Sequence, residues 1–206
     1  MEISVVRARA QATRDVQAEL AALWSWPEKT LAQWDTDLAL LTEKERAETA
    51  SEQEEHAIRA QRNVAYKALE RFTMQALAAL KVSVRGDTAA LETLKRLPGQ
   101  PFGRPQSLAR AKAVAEAWKT LRPALALSSS HTHAAFESAL AHAADLDATT
   151  SAAKAKWRHA AETLAEHAAH LDSDNKAWFA LASRLYGPET PEGALIRSRV
   201  PVTGKS

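Results

Sequence analysis

The chain has 206 residues, of which 46% are hydrophobic, 25% charged and none cysteine, with a formal net charge of +2. The lack of cysteine excludes disulfides, thiolate metal sites and cysteine nucleophiles, and it fits a reducing compartment. Met1-Glu2-Ile3-Ser4 has no basic start followed by an apolar run, and the longest apolar run, Ala76 to Leu80, falls far short of the roughly 20 residues that span a bilayer, so the expectation is a soluble cytoplasmic protein with no membrane partner.

In chain order, Ile3 to Ser25 reads as a first helix, with Ile3, Val6, Ala10, Val16, Leu20 and Leu23 on one apolar stripe. Pro27 displaces its predecessor from helical geometry and suits the first turn of a second helix, predicted over 28–84. In that helix Leu31, Trp34, Leu38 and Leu41 alternate at three and four, and the stripe returns with Ile58, Ala65, Leu69, Phe72, Ala76 and Leu80. Thr42 to His56 between them is almost wholly polar but lacks Pro and Gly. It is predicted to continue the helix as a solvent-exposed waist.

Gly86 is the expected C-terminal cap, and Asp87 can cap a short helix over 88–96. Leu97 to Pro105 holds three Pro and two Gly after Leu97 and reads as a linker at the chain's midpoint. Helices are then predicted over 105–127 and 132–185, with Ser128-Ser129-Ser130 as the turn, followed by a short turn of helix over 192–197 and a tail from Pro201. The long 132–185 element carries Trp157, Leu164, Leu171, Trp178 and Leu185 at a seven-residue interval, which places them on one face.

A shift of 101 lays Ala8-Arg9-Ala10-Gln11-Ala12 over Ala109-Arg110-Ala111-Lys112-Ala113, and Gly86 over Gly187. With two further residues, Arg96-Leu97-Pro98 lies over Arg199-Val200-Pro201. The predicted fold is therefore all-α: an elongated four-helix bundle built from two duplicated helical hairpins, 1–103 and 104–206, packed as one domain.

Chemical motifs are sparse. His159, Glu162, Glu166 and His170 lie along one helical flank and are the candidate metal ligands, but the Glu-x-x-His order of di-iron bundles does not occur. Ser128 to Ser130 beside His131 reads as a capping turn, and no Gly-x-Ser-x-Gly, Gly-x-Gly-x-x-Gly or Walker-type loop occurs. The expectation is a protein that is not an enzyme and takes no cofactor. Charge is uneven: Asp35 to Glu55 has eight acidic and two basic residues, and Lys81 to Lys112 has seven basic and two acidic. The function predicted is a structural or assembly module that binds a protein partner or itself. Trp24, Trp26, Arg85, Lys95, Arg96 and Arg104 are the candidate partner-binding residues, because Trp24 and Trp26 flank a turn and the four cations lie in the basic stretch. The alternatives are nucleic-acid binding through 81–112 and a His/Glu metal-binding bundle.

Overall fold

The computed structural model describes residues 2–200, and the predicted tail from Pro201 lies outside them. Six α-helices make up the described chain, with no strand: α1 (Ile3–Glu19), α2 (Leu31–Ser83), α3 (Thr88–Lys95), α4 (Arg104–Leu121), α5 (His133–Leu185) and α6 (Pro191–Arg199). No helix among the described residues is long and apolar enough to cross a membrane.

The helix starts are set by side chains that satisfy the free N–H groups of the first turn. Thr30 and Gln33 form a reciprocal cap: the Thr30 amide donates to Gln33 Oε1 at 2.7 Å, and the Gln33 amide donates to Thr30 Oγ1 at 3.3 Å. Asp87, Thr132 and Thr190 accept likewise from Ala90, Ala135 and Gly193. The second helix thus begins at Leu31, not beside Pro27, because its cap is Thr30.

Two helices end earlier than predicted. α1 stops at Glu19, since residues 20–24 turn back on Leu20 through the amides of Leu23 and Trp24. α4 stops at Leu121, because Pro123 pushes Arg122 out of helical geometry (φ −151°, ψ 68°). Neither Gly86 nor Gly187 takes the left-handed cap conformation. Among the described glycines only Gly103 has positive φ (105°), at the N-cap of α4.

α2 runs unbroken through Thr42 to His56, and α5 unbroken through Asp172 to Asn175. The polar waist is not wholly exposed, however, since Ser51 and Glu55 are buried. Arg59, one turn on, grips Glu55 through Nε and a terminal nitrogen at 2.9 and 2.6 Å. The seven-residue ladder on α5 drifts as it climbs. Leu164, Leu171 and Trp178 are buried, but Leu185 is 52% exposed. An α-helix loses about 20° per seven residues against a straight stripe, which carries the last rung off the face.

The chain forms two compact units, Met1–Glu52 with Lys156–Ser206, and Gln53–Ala155. In the first, α1 packs on α6, and Val6, Ala10, Val16, Trp34, Leu171 and Trp178 form the core. In the second, α3 packs on α4, and Leu69, Leu80, Val114, Trp118 and Phe136 form the core. Trp118 is the second unit's one tryptophan, and the other five belong to the first. The first unit has 13 basic and 16 acidic residues, and the second has 14 and 9.

α2 and α5 are each 53 residues long. Trp34 and Phe136, Leu69 and Leu171, Ala76 and Trp178, and Leu80 and Ala182 are pairs 102 positions apart, and all eight are fully buried.

Candidate functional site

The second unit carries an open groove of about 780 Å³. One wall is the last part of α2, where Gln75, Ala78, Ala79, Val82 and Ser83 recur at helical spacing. The other is Leu125 to Ser128 and His131, in the connection from α4 to α5. Pro123 creates that wall by ending α4. The wall is then pinned from three sides: Trp118 Nε1 donates to the Leu125 carbonyl at 3.1 Å, the Leu127 amide to the His131 carbonyl at 2.9 Å, and Arg122 to the Ser83 carbonyl at 3.3 Å. The His131 ring stands edge-on to Phe72, with centroids 4.9 Å apart.

The groove is apolar and uncovered, with Val82 74% exposed. The two stretches that form its walls carry cations and no acid, with Glu70, Asp87, Glu116 and Glu137 just outside them. Neither 71–86 nor 117–136 contains Asp or Glu, whereas Arg71, Lys81, Arg85, Lys119 and Arg122 are all exposed there. Small side chains at Ala78 and Ala79 leave the α2 backbone approachable, so the groove can take the apolar edge of another helix.

A second polar centre lies in the first unit. The Lys29 ammonium, in a residue only 5% exposed, donates to Asp174 and makes an ion pair with Asp37, each at 2.5 Å. It also sits 4.1 Å from the centroid of the Trp34 ring. Gln17 ties the same region together: its Nε2 donates to the Lys29 carbonyl and its Oε1 accepts from Trp34 Nε1, both at 2.9 Å. Trp26 and His170 border the adjoining cavity of about 370 Å³. The Lys29 ammonium, Gln17 Nε2 and Trp34 Nε1 each meet an acceptor, so together they clasp the loop after α1 onto α2 and α5.

The predicted partner residues are placed unevenly. Trp26 is 4% exposed and packs against Trp34, and Trp24 is half-buried against Trp178 and Tyr186. The tryptophans at this turn are thus packed inward, and the exposed apolar residue there is Leu23, at 66%. Arg85, Lys95, Arg96 and Arg104 are exposed; Arg85 follows directly on the groove, and Lys95 is paired with Glu92 at 2.6 Å. His159, Glu162, Glu166 and His170 are all exposed on α5, and His170 faces Asp174 at 3.4 Å. Among the described residues no group of three or more His, Asp or Glu is placed to hold a metal ion.

The sequence reading missed Lys29 and the groove. The composition of one wall is visible in the run from Arg71 to Gly86, which pairs two adjacent alanines with Val82 and lacks any acid, but its exposure is not. Elsewhere, burial and then the Asp147 carboxylate, which accepts a hydrogen bond from the hydroxyl, raise the Tyr66 phenol above its ordinary range.

No family model, curated protein or solved structure gives a significant match to this chain.

Proposed function

We propose that the chain is a non-enzymatic interaction module whose second unit receives an acidic amphipathic helix from a protein partner. The uncovered face of α2 carries this reading: Gln75, Ala78, Ala79 and Val82 lie at the spacing that a docking helix needs, and Val82 is 74% exposed. The cations around the groove, with no carboxylate among them in 71–86 or 117–136, favour acidic flanks on the partner and repel basic ones.

The duplicated-hairpin architecture is part of the same proposal. It is supported by the equal lengths of α2 and α5 and by the eight buried residues that pair at an interval of 102.

The test is selection from a displayed library of helical peptides of about four turns, with flanking charge varied. The expected winners carry an apolar residue every third or fourth position between Asp and Glu, and they bind at least tenfold more weakly to Val82→Glu with its helix content unchanged. Failure to enrich such peptides, or binding indifferent to Val82→Glu, overturns the reading. Light scattering at tens of micromolar reads self-association: a dimer lost in Val82→Glu makes the partner helix one from a second copy. Random duplex DNA bound at low salt, released steeply by salt and unaffected by Val82→Glu would put nucleic acid in the partner's place.

A further inference from the structure

The first unit carries an apolar surface of its own, separate from the groove. Leu181 and Leu185, one turn apart at the end of α5, are exposed, and so is Leu23 in the turn after α1. Trp24 ties that turn to the end of α5. Its ring packs on Trp178, three residues before Leu181, and on Tyr186, directly after Leu185, with centroids 6.3 and 6.4 Å apart. Ala21 and Ala22 in the turn and Ala177 and Ala180 on α5 are exposed as well, while Trp24 and Tyr186 are only half-buried. One exposed leucine is ordinary on a protein surface, but three beside two half-covered aromatics are what an interface buries.

The second unit is built differently at the same place. Ala79, Ser83 and Leu125 line the groove, and they lie 102 positions from Leu181, Leu185 and Leu23. The connections involved, 20–30 and 122–132, are each 11 residues long. This correspondence, which belongs to the duplicated-hairpin proposal, puts the three leucines around one surface as their counterparts are around one groove. Leucines stand where the groove has an alanine and a serine, and Arg184 stands where it has Val82.

Charge selects what covers the patch. Arg184, between Leu181 and Leu185, and Glu189, in the turn after α5, are both exposed, and neither enters an ion pair among the described residues. A surface with both signs around its leucines is its own complement, because a twofold axis can turn the cation of each copy toward an acid of the other. The groove walls hold cations and no acid, so two grooves set face to face would oppose like charges. We infer that Leu23, Leu181 and Leu185 form the contact between two copies of this chain, packed patch to patch about a twofold axis. The groove takes no part in this contact, and a dimer therefore carries two. A standard interface engages roughly 20–30 residues a side, more than this patch supplies, so the dimer dissociates in the micromolar range.

The experiment is sedimentation equilibrium on the full chain from about 10 to about 500 μM, and a monomer–dimer equilibrium is expected. Leu23→Glu and Leu185→Glu, both at exposed positions, should each weaken the dimer at least tenfold with unchanged circular dichroism. Arg184→Glu, which leaves the patch wholly acidic, should weaken it at least threefold. Val82→Glu should leave dimerisation unchanged, and Leu185→Glu should leave helical-peptide binding by the groove unchanged, so the two readings fail separately. The inference is overturned if the chain is monomeric throughout, if its mass climbs past the dimer, if Val82→Glu abolishes the dimer, or if Leu185→Glu or Arg184→Glu folds normally and dimerises as the parent does.

Discussion

Lys29 and Asp174, 145 positions apart in sequence, meet at 2.5 Å with the lysine almost wholly removed from solvent. Asp37 takes the same ammonium from α2, so a single cation joins the loop after α1 to both long helices within the first unit. Replacing Lys29 with Met keeps the aliphatic stem and removes the charge, leaving two partly buried carboxylates uncompensated. The expected loss is about 2–4 kcal/mol of unfolding free energy, toward the lower end because both carboxylates keep some solvent. Adding Asp174→Asn should recover part of it, since one of the two stranded charges is removed. Urea unfolding of the single and double variants reads both effects.

Gln17 is the second fastener of that loop. Gln17→Leu leaves the Trp34 indole N–H and the Lys29 carbonyl without partners inside the core. Each orphaned group costs about 1–3 kcal/mol, so thermal unfolding should show a larger loss than for Gln11→Leu on the exposed face of α1.

Acid sensitivity should be localised at Asp172. Burial pushes this carboxyl up, but hydrogen bonding and charge from Lys176, together with Arg9, outweigh that and hold it below its ordinary value of 3.8. As pH falls the unfolded chain takes up the proton first, so the stabilisation is fully present above about pH 5 and is lost as pH drops through the folded-state value. The stability gap between the parent and Asp172→Asn should therefore narrow below pH 4, measured by urea unfolding at pH 6, 4 and 2.5.

Gly193 is required by close approach. A methyl group on it would collide with the Gly187 carbonyl oxygen and lie 2.9 Å from that of Tyr186. Gly193→Ala should shift α6 off α1 at a cost of about 1–3 kcal/mol. Hydrogen exchange should rise along Pro191–Arg199, while Gly99→Ala, with open space around it, leaves exchange unchanged.

The helices were legible in sequence because their signals are local: Asp87 as a cap, Gly and Pro in 98–105, and the lack of breakers in 42–56. The early end of α4 was equally local, since Pro123 is visible without any structure. The end of α1 was not. Residues 20–30 are held by Gln17, Asp37 and Asp174, contacts that no window of sequence contains. The packing of the two tryptophans at this turn was hidden for the same reason, because Trp34 and Trp178 arrive from distant positions to meet Trp26 and Trp24. The groove was hidden because the bareness of Ala78, Ala79 and Val82 depends on the path of 122–132 beside them.

The five-to-one division of tryptophan between the units gives the chain its own optical labels. With Trp118 changed to Phe, intrinsic fluorescence reports the first unit alone. A chain keeping only Trp118 reports the second. Melting the two versions side by side would reveal whether one half lets go before the other, with no dye attached and no cut in the backbone.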